Sequence, residues 1–213
     1  MQRIARLLYS PSEYLHHARM SAPKRSPFAA PVVIGLLLIE PRHGYALFSQ
    51  IQSDLRDVWH VAMNRLYKLL DEMEADGLIA GRAERVGLRP ARRVYRGTAK
   101  GKRLFERWMH EPSGRMSEMR TDFPPKLYFA MQHGPQDVAQ LVQVQRGACQ
   151  RELERMASRQ KDIGLAGGYR DLVYDFRLRQ IRAILEWLDE CETRLVADNL
   201  HEMRALQAEM EPA

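Results

Sequence analysis

A mainly α-helical fold with one small β-hairpin is what this sequence predicts, and three observations predict it. Apolar residues recur at i, i+3, i+4 and i+7 in the stretch VAMNRLYKLLDEMEADGLI (61–79) and again along the last forty residues. Strand signals are confined to two short runs near 78–85 and 92–97, split by VGLRP with its turn-making Gly87 and Pro90. Turn-making clusters of glycine, proline and polar residues separate the helical runs at EPRHGY (40–45), HEPSGRMSEMR (110–120) and IGLAGGY (163–169).

Residues 1–28 read as an N-terminal extension: a short amphipathic piece (Ile4, Leu7, Leu8), then the linker-like SAPKRSPF. The first helix spans about 30–39, where VVIGLLLI is apolar on every side and therefore buried, and it stops before Pro41. After the turn EPRHGY, the helix YALFSQIQSDL places Leu47, Phe48, Ile51 and Leu55 on one face. The third helix, about 61–76, turns Leu66, Leu69, Leu70 and Met73 to the core and Asn64 and Lys68 away from it, with Arg65 and Tyr67 on the flanks. Gly77 supplies its left-handed stop. Beyond the two strands, Thr98 N-caps the helix AKGKRLFERWM, in which Leu104 pairs with Trp108 and Phe105 with Met109 at i+4. Three helices followed by a hairpin make a winged helix-turn-helix domain over 29–110.

The chain then turns helical again. DFPPKLYFAMQ opens one segment, about 135–160 forms a long charged helix, and about 169–208 forms the last. Phe176, Ile181, Ile184, Leu185, Leu188, Cys191 and Leu195 stand at helical spacing in that last helix. So long an apolar stripe needs a cover, and a second copy of the chain is the simplest one, which makes 118–208 a helical dimerisation domain.

Charge points to a partner. Residues 1–110 carry 19 Lys/Arg against 10 Asp/Glu, whereas 111–213 carry 14 against 17. Within 82–107 stand ten basic residues and only Glu84 and Glu106 as acids, a patch suited to a polyanion because clustered cations release counterions on meeting phosphates. A solubilising surface, the competing reading, ordinarily mixes both signs. The polar side of the third helix suits either a nucleic-acid groove or plain water.

Other classes find less support. No apolar run approaches the roughly 20 residues of a membrane span, and the N-terminus lacks a signal-peptide core, so a cytoplasmic protein is expected. There is no glycine-rich phosphate loop, no HExxH and no nucleophile elbow, so no enzyme and no cofactor are expected. His16 and His17 are adjacent, and neighbours on a helix point about 100° apart, a poor arrangement for one metal. Cys149 and Cys191 have neither metal nor disulfide spacing; they read as small buried hydrophobes, with a redox switch as the rival.

The segments VVIGLLLIEPRHGYALFSQI, WHVAMNRLYKLLDEMEADGLI and RRVYRGTAKGKRLFERWM resemble the PadR family of transcriptional regulators over about 30–109. The tail, about 118–200, resembles the C-terminal dimerisation domain of the family's longer subgroup, with KLYFA and EWLDE the recognisable pieces. The resemblance implies a homodimeric DNA-binding regulator, most often a repressor, whose C-terminal domain answers a small molecule. It places Tyr45, Asn64, Arg65, Tyr67, Lys68, Arg89, Arg92 and Arg93 at DNA-facing positions. Asn64 or Arg65 would then read base edges, Tyr45 and Tyr67 would donate hydroxyls to phosphate or else pack half-buried, and the arginines would track the backbone or the minor groove. Ala62, Met63 and Gly97 depart from the family pattern, Gly97 standing where a leucine is usual before Thr98. The partners expected are double-stranded DNA, a second copy and a small-molecule effector, without a membrane. Phe123, Tyr128, Phe129 and Trp187 are the candidate effector-pocket residues, with core packing as the competing reading. A winged-helix module that binds a protein or ligand without reading DNA is the alternative function.

Overall fold

The computed structural model describes residues 28–84, 92–114, 116–162 and 168–210, with side chains to residue 194. Helix α1 (Ala29–Ile39) is buried from Ala29 to Leu37 apart from Ala30, as an all-apolar run requires. Pro31 sits in its first turn, where no N–H partner is lost. A two-residue strand, β1 (Arg42–His43), leads into α2 (Gly44–Asp54), and α3 (Met63–Ala75) follows. At the end of α3, Gly77 takes φ 69°, the Leu78 N–H donates to the Met73 carbonyl and the Gly77 N–H to the Glu74 carbonyl, a Schellman stop at the glycine expected to provide one.

Strands β2 (Ile79–Glu84) and β3 (Arg92–Gly97) pair antiparallel from Ile79 opposite Gly97 to Glu84 opposite Arg92. The stretch EPRHGY is more than a turn: β1 adds to the free edge of β3, Arg42 opposite Tyr95 and His43 opposite Val94, giving the order β1-β3-β2. Thr98 caps α4 (Ala99–His110) by accepting from the Gly101 N–H at 3.1 Å, while its hydroxyl donates to the Gly77 carbonyl at 2.8 Å. One side chain thus joins the end of α3 to the start of α4. Gly97, the departure from the family pattern, leaves space that Leu38 fills; an added Cβ there would lie 2.8 Å from Leu38 Cδ2.

Helices α5 (Met116–His133), α6 (Pro135–Asp162) and α7 (Tyr169–Met210) follow. The loop expected over 110–120 is shorter than its composition suggests, because α5 starts at Met116 and runs through Pro124 and Pro125, with Phe123, Pro125, Lys126 and Phe129 buried. Two cores result. The first joins α1, α2, α3, the sheet and α4, with Phe129 of α5 edge-on to Phe105 at 5.0 Å; the second joins α5, α6 and α7 around Phe123, Val142, Ile181 and Leu188. Ile184 and Leu185 pack at the second core's margin, Phe176 is exposed, and the Leu195 side chain lies outside the described residues.

Between the cores lies a buried polar cluster. Asp122 accepts from Trp108 Nε1 at 2.7 Å and from the Ser113 hydroxyl at 2.5 Å, and Lys126 Nζ stands 2.9 Å from Asp122 and donates to the Glu111 carbonyl at 2.7 Å. Gln145 of α6 closes it, accepting from the Ser113 N–H at 2.7 Å. Buried polar groups persist only when paired, and each of these is. Winged-helix unit and helical unit are therefore joined by directional bonds as well as by apolar contact.

Candidate nucleic-acid interface

The apolar side of α3 (Leu66, Leu70, Met73) is buried, which forces the opposite side outward: Asn64, Arg65, Tyr67 and Lys68 are all exposed. No hydrogen bond or ion pair among the described residues engages Asn64, Arg65 or Lys68. The α3 N-cap is Ala62, whose side chain caps nothing, so the first N–H groups of the helix stand free of a side-chain acceptor.

Tyr45, 60% exposed on α2, and Tyr67, 39% exposed on α3, line one concavity with His43, Gly44, Arg92, Arg93 and Tyr95. Its construction is local. His43 caps α2, its Nδ1 accepting from the Ala46 N–H at 3.1 Å, so the sequence Gly44-Tyr45 opens the helix with Tyr45 outward. Gly44 is required by Tyr67: an added Cβ would lie 2.6 Å from the Tyr67 ring. Tyr67 therefore packs on α2 with one edge and meets solvent with the other.

The basic residues divide. Arg93 Nη2 lies 2.7 and 2.8 Å from the two carboxylate oxygens of Glu74, and the Gly81 N–H donates to the same carboxylate at 2.9 Å. The Arg93 bond, then the Gly81 N–H, holds the Glu74 carboxyl below its ordinary range, and Glu74 raises Arg93 in turn. Arg96 pairs with Glu84 at 3.3 Å. Burial pushes the Tyr95 hydroxyl up beneath this layer. Arg92 is exposed at the start of β3 with no ion pair among the described residues, and Arg89 lies outside them. Sequence reasoning missed Glu74 and His43; the first pairs across 19 positions, and the second carries a signal only as a polar residue before Gly44 at a helix start.

The four candidate pocket residues are divided between the two cores and the surface. Phe129 is packed in the first core and Phe123 in the second, each fully buried. Trp187 meets Phe123 edge-on at 5.7 Å and is otherwise exposed, and Tyr128 donates to Asp54 of α2 at 2.8 Å. Cys149 and Cys191 are free and buried, and burial pushes both thiols up. No group of three metal-ligating side chains occurs among the described residues, and none of their helices is long and apolar enough to cross a membrane.

A three-helix unit with an antiparallel wing, continued by long helices, is the winged-helix architecture of DNA-binding regulators. Residues 33–107 match the transcriptional regulator PadR-like family, and residues 119–196 match the virulence activator alpha C-terminal family. The resemblance drawn from the motifs is borne out by both matches. No curated protein matches the chain by sequence. Solved structures similar to it include Bacillus subtilis PadR in complex with operator DNA (19% identity, 81% of this chain and 99% of that one, TM-score 0.41). Others are a PadR-like regulator from Bacillus cereus (25% identity, 38% and 76%, TM-score 0.34) and the Vibrio cholerae virulence activator AphA (19% identity, 79% and 99%, TM-score 0.33).

Proposed function

We propose that this chain is a cytoplasmic, homodimeric repressor that reads an inverted-repeat operator and is released by a small-molecule effector, with no catalytic step. The observation that carries the reading is the set of exposed polar side chains without partners among the described residues, Asn64, Arg65 and Lys68 of α3 and Arg92 of β3, the last lining one concavity with Tyr45 and Tyr67. Asn64 and Arg65 have the geometry for bidentate bonds to adenine and guanine edges, Tyr45 and Tyr67 donate to phosphates, and Arg92, with Arg89, follows the backbone. Support for a second copy comes from α7, where Tyr169, Leu172, Phe176 and Trp187 are exposed within one face of the helix. Two heads joined through that face would read half-sites about one DNA turn apart, roughly 34–36 Å. An effector would act by its differential affinity for the DNA-competent and incompetent spacings.

The test is a salt titration of binding to the DNA just upstream of this protein's own gene against scrambled DNA of equal length. Tighter, steeply salt-dependent binding to the upstream fragment is expected. Salt-dependent binding without preference would reduce the reading to a basic domain, and no binding at low salt would favour a partner-binding module.

A further inference from the structure

A second concavity opens where α4 meets the end of α5 and the start of α6. Phe105 and Met109 of α4 and Leu141 and Val144 of α6 supply its apolar lining, and Glu106, Asp137 and Gln140 line it as well. The two carboxylates come from opposite sides of the junction between the winged-helix and helical units. Neither is committed: Glu106 has only a loose, exposed contact with Lys102 at 3.7 Å, and Asp137, in the first turn of α6, has no hydrogen bond or ion pair among the described residues. Two imidazoles also line the site, His110 and His133, the second with Nδ1 2.8 Å from the Phe129 carbonyl. Two carboxylates beside an aromatic and thioether lining are the chemistry that recognises a cation carried on an apolar body.

We propose that this cleft binds an organic cation with an apolar body, its charge between Glu106 and Asp137 and its body on Phe105, Met109, Leu141 and Val144. The site deepens the effector part of the proposed function, on which its consequence for DNA rests. Helix α4 continues directly from the wing through Thr98 and packs beneath Leu78 through Gly101, where an added Cβ would lie 2.2 Å from the Leu78 carbonyl oxygen. An occupant wedged between α4 and α6 therefore bears on the wing through a stiff connection.

The experiment is calorimetric titration of the full chain, without DNA, in mildly alkaline buffer. The probes are phenylbutyltrimethylammonium and its anionic counterpart phenylpentanoate. Saturable binding of the ammonium about tenfold or more tighter than the carboxylate is expected. The double variant Glu106→Gln/Asp137→Asn should lose that preference, Val144→Trp should block the cleft to both probes, and Gln140→Glu, which adds a carboxylate to its wall, should tighten the ammonium. Equal binding of the two probes, no saturation by the ammonium, undiminished binding in Val144→Trp or unchanged affinity in Gln140→Glu would each overturn the assignment. Because no DNA is present, this outcome is separate from that of the operator titration.

Discussion

Arg93 and Glu74, 19 positions apart, form a double hydrogen bond that fastens the wing to α3: Nη2 stands 2.7 and 2.8 Å from the two carboxylate oxygens. The guanidinium also lies 6.0 Å from the Tyr95 ring centroid. A cation held in this way links β3 to α3. Arg92, one residue earlier, lies outside this contact and is exposed. Both line the concavity with Tyr45 and Tyr67, but only Arg93 is held by an ion pair among the described residues.

The two arginines should therefore separate in a salt titration. Arg92→Ala is expected to reduce the slope of log affinity against log salt by about 1, the loss of one phosphate contact. Arg93→Ala should change affinity for operator and random DNA with a smaller change in slope, and Glu74→Gln should reproduce its effect although it removes no positive charge. Equal slope changes in Arg92→Ala and Arg93→Ala, with none in Glu74→Gln, would place Arg93 on DNA instead.

Asn64 is exposed on the first turn of α3, with no partner among the described residues. Asn64→Ala should cost about 1–3 kcal/mol on the operator and little on random DNA, measured by fluorescence anisotropy at fixed salt. A loss of the same size on both would remove it from base reading.

The buried ion pair makes a stability prediction. Lys126 is 1% exposed and Asp122 7% exposed, and the ammonium also faces the Trp108 ring at 5.2 Å from its centroid. Lys126→Met leaves the Asp122 carboxylate buried without its cation, and should lower unfolding free energy by about 3–5 kcal/mol in a urea melt. Adding Asp122→Asn should recover part of the loss, since the orphaned charge is then gone. A single-variant loss below about 1 kcal/mol would mean that water reaches the cluster.

Most of the winged-helix unit was legible because its signals are local. The apolar run at Val32–Ile39, the stop at Gly77 and the cap at Thr98 each act within a few residues of themselves, and the structure uses all three. What was not legible depends on distant partners. The two residues of β1 become a strand only because Tyr95 and Val94, some fifty positions on, offer an open edge. Nothing local marks Asp122 and Lys126 as buried, because Trp108 and Ser113, which enclose the pair, come from outside α5. Likewise, the α3 surface was visible as a polar stripe, but the division of labour among its arginines was not, because Glu74 faces the wing only after the chain has turned at Gly77.

Tyr128 supplies the last prediction, a dependence of stability on alkaline pH. Its hydroxyl donates to Asp54 at 2.8 Å, tying α5 to the end of α2, and desolvation together with that bond pushes its pKa from 10.0 up to about 12. Deprotonation is harder in the folded chain than in the unfolded one, so the folded state keeps the proton over a window in which the unfolded state loses it. The stabilisation is thus complete below about pH 10 and is lost as pH rises through about 12. Tyr128→Phe should remove this alkaline limb, with urea midpoints of the two proteins converging as pH rises across the window. It should also loosen the strut between α5 and α2, visible as faster amide exchange at the end of α2 at neutral pH. Parallel pH profiles for the wild-type chain and Tyr128→Phe would show that the hydroxyl is hydrated and that the Asp54 contact contributes nothing to the union of the two units.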